Sequence, residues 1–140
     1  MATLRVEIVT PESALWAGEA QALVARSSDG DFTVMPQHTA TVGDIVPGVV
    51  RVQTAEGELS FCVHGGYFEV GSAGEGVTRA TVLAGVAEAA TEIDTVRAQA
   101  AKERYESVLA NAQRGEGDDV DVESARAGVA RAELRLRAAK

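Results

Sequence analysis

Leu4-Arg5-Val6-Glu7-Ile8-Val9 alternates apolar and polar side chains, the period-2 pattern of a strand with one wet face. Thr10-Pro11-Glu12-Ser13 follows as a turn. Ala20–Ala25 reads as a second strand, closed by Ser27-Ser28-Asp29-Gly30, and Phe32-Thr33-Val34 as a short third ending at Pro36. Val49–Gln53 and Glu58–Val63 flank Ala55-Glu56-Gly57 as a hairpin, and Tyr67–Val70 and Val77–Leu83 repeat the pattern across a Gly-rich turn. Short strands at this spacing predict an antiparallel sandwich or barrel.

Near Glu88 the texture changes. Thr91 to Arg114 contains no Gly or Pro and is dominated by Ala, Glu, Arg and Gln, all strong helix formers. Thr91 with Asp94 three residues later resembles a capping box. Gly115-Glu116-Gly117-Asp118-Asp119 breaks the helix, and a second helix is expected from about Asp121, with Asp119 or Asp121 as its cap. The short loop predicts an antiparallel hairpin. Val122, Ala125, Val129, Ala132 and Leu136 form one stripe on the second helix, with Arg131 and Arg135 on one flank and Arg126 and Arg137 on the other. Ala98, Ala101, Tyr105, Val108, Leu109 and Ala112 form the matching stripe on the first. Seams this rich in alanine bury little area, which predicts a weakly held hairpin.

Composition sharpens this two-part picture. Of the 13 Lys and Arg residues, only Arg5, Arg26, Arg51 and Arg79 fall within the first ninety positions. A formal charge of −8 opposes nucleic-acid binding, which needs clustered cations. The single Cys62 has no disulfide partner in the chain and reads as a small core residue in a reducing compartment. No apolar run is long enough to span a membrane and no signal peptide is recognisable at the start, so a soluble protein is expected. Gly65-Gly66 lacks the Lys-Ser/Thr and helix start of a phosphate loop. His38 and His64, the only histidines, lack further ligands at metal-site spacing, and His64 beside two glycines reads as structural. No nucleophile, base and acid have recognisable local spacing, so no enzyme is expected.

Several segments resemble the epsilon subunits of bacterial rotary (F-type) ATP synthases. Gly30-Asp31-Phe32-Thr33-Val34-Met35-Pro36-Gln37-His38-Thr39 is similar to the family's Gly-acid-apolar-Gly-Ile-Leu-Pro-Gly-His-Thr segment, with Thr33 and Gln37 replacing glycines and Ala40 a common proline. Ile8–Glu12, Val63–Val70, Val77–Ala84 and Ile93-Asp94-Thr95-Val96-Arg97-Ala98 resemble further family segments, in family order. The resemblance implies an α+β fold: a ten-stranded antiparallel β-sandwich over residues 1–88, then an antiparallel two-helix hairpin over 89–140. It implies a non-catalytic rotor subunit whose sandwich binds the gamma subunit and the c-ring. The hairpin would extend to the catalytic alpha and beta subunits and inhibit ATP hydrolysis. Membrane contact would come only through the complex, at the cytoplasmic face of the cell membrane. The alternative is a free-standing ATP-binding sensor.

No cofactor is required by this resemblance, but it implies ATP as a regulatory ligand on Glu88, Ile93, Asp94, Arg97, Ala98, Arg104, Arg131 and Arg135. Guanidinium groups suit phosphate oxygens through bidentate hydrogen bonds. In the bland alternative Asp94 only caps its helix, Asp94 and Arg97 form an i, i+3 pair, and Arg131 and Arg135 are a solvated face. Asp29, Gly30, Asp31 and His38 are implied c-ring contacts, set against a solvated turn and a turn-stabilising histidine.

Overall fold

In the computed structural model, which describes residues 2–115 and 122–139, the chain divides into two compact units, residues 1–90 and 91–140. The first holds ten strands: β1 (Thr3–Val9), β2 (Ala14–Ala20), β3 (Ala22–Ser27), β4 (Gly30–Val34), β5 (Thr41–Ile45), β6 (Gly48–Thr54), β7 (Gly57–Val63), β8 (Gly66–Gly74), β9 (Val77–Ala84) and β10 (Ala87–Ala89). They form two five-stranded sheets, ordered β2-β1-β9-β8-β5 and β10-β7-β6-β3-β4. The pairs are antiparallel except β1 with β9, which run parallel with Val6 opposite Ala80. Parallel neighbours need a long crossover, and nearly the whole sandwich supplies it here.

The sheets enclose a core of small aliphatic side chains. Leu4, Val6, Ile8, Leu23, Val34, Val52, Val63 and Val82 are fully buried. Each such side chain contributes about 1.5–3 kcal/mol on burial. Aromatic weight is concentrated at Phe68, whose ring stacks on Phe32 with centroids 4.3 Å apart. Gly43, opposite Phe68 on β5, leaves room for that ring.

Three strands go beyond the sequence expectation: β2, β5 and β10. All three are edge strands. With one neighbour each and polar or glycine positions such as Gly18, Glu19, Gly43 and Asp44, they lack clean alternation. Because β10 pairs Ala87–Ala89 with Phe61–Val63, the first unit runs through Ala90 rather than ending at Glu88.

Two turns depend on left-handed backbone. Glu75 (φ 49°) and Gly76 (φ 77°) link β8 to β9, positive at both positions as the tightest hairpins require. Gln37, at a family glycine position, also adopts positive φ (71°), and its N–H donates to the buried Thr78 Oγ1 at 2.8 Å. Thr33, the other glycine replacement, lies in extended β4 opposite Val24 and needs no special conformation.

In the second unit a 3₁₀ turn (Ala90–Glu92) leads to α1 (Thr95–Gln113), and α2 covers Val122–Ala138. The expected start at Thr91 is corrected: Asp94 itself is the N-cap, accepting from the Arg97 N–H at 3.0 Å. Gly115 (φ 71°) ends α1 with its N–H on the Ala112 carbonyl. The expected caps Asp119 and Asp121 lie outside the described residues. The helices are antiparallel: Lys102 faces Glu133, and further along α1 Tyr105 faces Gly128. On α2 the buried positions are Ala125, Gly128, Ala132, Leu134 and Ala138. Leu136 of the expected stripe is half-buried, while Leu134 and Gly128 take buried places that the stripe did not contain.

Candidate functional site

The residues implied for ATP binding separate into distinct local settings. Asp94 spends one carboxylate oxygen on the α1 cap, a role worth about 1 kcal/mol at such positions. Arg97, which supplies the capped N–H, is exposed, whereas Ile93 and Ala98 are buried. Arg135 is half-buried on α2.

Arg104 and Arg131 meet at a single group. The Arg104 guanidinium lies 5.1 Å from the centroid of the Tyr105 ring. Hydrogen bonding and charge from Arg104 hold the Tyr105 phenol below its ordinary value of 10.0, and Arg131, from the opposite helix, adds to this against a small desolvation effect. The ring rests on Gly128, where a Cβ would come within 2.6 Å of its carbons. Gly128 was invisible to the stripe count; its only signal was a glycine in an otherwise alanine-rich helix.

Glu88 belongs to the sandwich unit. On β10 it pairs with Cys62 of β7, and its Oε1 lies 3.6 Å from His64 Nε2, itself 3.4 Å from Cys62 Sγ. Cys62 is fully buried but is not among the inter-sheet core residues; by strand alternation it faces opposite to Phe61 and Val63, which are. The thiol and the carboxylate approach the same ring nitrogen. A nucleophile–base–acid relay would use both nitrogens, so this contact lacks that geometry. The neighbouring Gly65-Gly66 has a packing reason: a Cβ on Gly66 would lie 2.2 Å from the Leu83 carbonyl oxygen.

The implied c-ring contacts do not come together. Asp29, Gly30 and Asp31 form the β3–β4 turn, where Ser28 donates to Asp44 through its N–H (3.2 Å) and hydroxyl (2.9 Å), and Arg26 lies 3.7 Å from Asp31. His38 lies beyond the other end of β4, about 17 Å of strand away. Its N–H bonds the Met35 carbonyl at 3.1 Å, and its Nδ1 lies 2.8 Å from the Thr39 carbonyl. Gln37 is tied to Thr78 near the start of β9, whereas Asp44 pairs with Tyr67, opposite Leu83 near the end of β9. The two groups therefore mark opposite ends of the sandwich. Among the described residues, no helix is long and apolar enough to cross a membrane.

Comparison with known proteins accounts for both units. Residues 3–90 match the family model for the ATP synthase delta/epsilon chain β-sandwich domain, and residues 91–140 that for its long α-helix domain. The chain is 42% identical over 140 residues to the ATP synthase epsilon chain of Thermobifida fusca, covering 98% of this chain and 92% of the relative. It is 43% identical over 117 residues to that of Alkalilimnicola ehrlichii, covering 83% and 80%. Among solved structures, a chain of the Euglena gracilis mitochondrial ATP synthase shares the fold with a TM-score of 0.64 at 19% identity, over 97% of this chain and 76% of that one. With a sandwich and a helical hairpin in family order, the chain belongs to the ATP synthase delta/epsilon chain family.

Proposed function

We propose that this chain is a central-stalk subunit of a bacterial F-type ATP synthase that turns with the rotor and couples proton transport to ATP synthesis. The observation that carries this reading is the family match along both units. The sandwich is the assembly unit, bound to the gamma subunit and the c-ring. The hairpin is the regulatory unit: extended towards the alpha and beta subunits it inhibits hydrolysis, and ATP held by its arginines favours the retracted form. The chain performs no catalysis of its own and sits at the cytoplasmic face of the membrane through its complex.

The build of the hairpin supports a regulatory role. Its buried seam positions are mostly alanine and glycine, and side chains this small contribute little to burial. Such a hairpin can exchange partners at small cost, and a few ionic contacts can bias it.

The test is ATP hydrolysis by the cognate catalytic head lacking this subunit, with the full chain or a version ending at Ala90 added back. That end point retains β10. Inhibition by the full chain alone assigns the brake to the hairpin. Equal inhibition by both places it in the sandwich. Absence of both inhibition and gamma binding overturns the rotor assignment and leaves a free-standing ATP sensor as the remaining reading.

A further inference from the structure

Adjacent levels of the helical hairpin carry opposite electrostatics. At one, Lys102 and Glu133 face each other across the seam at 3.9 Å. At the next, Arg104 and Arg131 converge on Tyr105. The helix positions three and four residues from each arginine hold no acid: Ala100, Ala101, Ser107 and Val108 around Arg104, and Ala127, Gly128, Leu134 and Arg135 around Arg131. Among the described residues neither arginine has an acidic group within ion-pair distance. Two guanidinium groups thus share one neutral hydroxyl, in a chain whose formal charge is −8.

We propose that Arg104, Tyr105 and Arg131 form an oxyanion clasp across the hairpin that takes a phosphate group of a polyphosphate ligand, with Tyr105 as the group that positions both arginines. The inference rests on the ATP reading above and adds to it a residue and a place for the phosphate. Like charges drawn to one level repel, and an oxyanion between them converts that repulsion into two charge-assisted contacts. Without ligand, the phenol oxygen is the acceptor available to both guanidinium groups; its lowered titration reports the field they create there. Gly128 seats the ring against α2 and so holds the hydroxyl at the seam. Because the donors come from both helices, a ligand in the clasp ties α1 to α2.

The experiment is a titration of the full chain with ATP and, separately, with inorganic pyrophosphate. It is followed by calorimetry and by NMR of the arginine Nε–H signals. Tyr105→Phe keeps the ring on Gly128 and removes only the hydroxyl; Arg131→Gln removes one donor; Arg79→Gln, on the sandwich, is the control. Both probes are expected to shift the Arg104 and Arg131 signals. Affinity for both should fall about tenfold or more in Arg131→Gln and about threefold to tenfold in Tyr105→Phe. Arg79→Gln should bind as the unaltered chain does. Pyrophosphate binding lost in Arg131→Gln, without ATP binding, upholds the clasp and removes the nucleotide reading. ATP binding at equal strength in all variants overturns the clasp and leaves the nucleotide reading standing. Binding of neither probe overturns both.

Discussion

Gly128 lies directly against the ring of Tyr105, so close that a methyl group on it would sit 2.6 Å from the ring carbons. Two effects oppose each other at this position. Alanine is favoured over glycine inside a helix by about 1 kcal/mol, but here its methyl must displace the ring. Gly128→Ala alone should expel Tyr105 from the seam and abolish its lowered titration. In a Tyr105→Ala background the same substitution should stabilise α2 by about 1 kcal/mol. Thermal unfolding followed by circular dichroism gives both values; equal effects in the two backgrounds would show that the contact carries no weight.

The cap at Asp94 separates two roles that one carboxylate could fill. Asp94→Ala should destabilise α1 by about 1 kcal/mol, whereas Asp94→Asn keeps the side-chain acceptor and costs little. If the carboxylate charge also serves ATP, Asp94→Asn will weaken nucleotide binding while leaving hydrogen-exchange protection of the first helical turn unchanged. Loss of protection in Asp94→Asn would contradict the cap geometry.

Gln37 holds a positive φ that favours glycine, offset by its N–H bond to Thr78. Gln37→Gly keeps that backbone bond and relieves the side chain's steric cost of about 1–2 kcal/mol, against about 0.4–1 kcal/mol of added unfolded-state entropy. Denaturant unfolding of the sandwich should therefore show a net gain of up to about 1 kcal/mol. Thr78→Val removes the acceptor and should destabilise by about 1–3 kcal/mol, because it leaves that N–H unsatisfied.

Tyr105 makes hairpin stability depend on alkaline pH. Its phenol titrates lower in the folded chain than the ordinary 10.0, so the tyrosinate–guanidinium interaction is fully present above that value. The stabilisation is lost as pH falls through the folded-state value. A Tyr67→Phe chain has Tyr105 as its only tyrosine, and its ultraviolet phenolate absorbance should develop below pH 10.0. Adding Arg104→Gln should move that titration upward; an unchanged midpoint would remove Arg104 as the main cause.

Sequence legibility followed how local each signal was. β1, β6, β7, β8 and β9 were readable because their alternation reflects one buried and one wet face. The edge strands β2, β5 and β10 were not, since their residues face fewer neighbours and tolerate glycine and charge. Cys62 was expected as core; its burial held, but alternation turned it toward His64 and Glu88 instead.

By itself the sequence determined the division into a strand-rich unit and a helical unit, the Asp94 signal near the start of α1, and the family. These rest on composition, periodicity and short motifs, all of which act over a few residues. Only tertiary structure decided that β1 pairs in parallel with β9, and that the two ends of β4 carry the Asp29–Asp31 turn and His38 to opposite ends of the sandwich. It alone set the ring of Tyr105 on Gly128 with Arg104 and Arg131 converging on its hydroxyl. Register between distant strands, and between two helices, depends on how whole faces pack. No single segment of sequence contains that information.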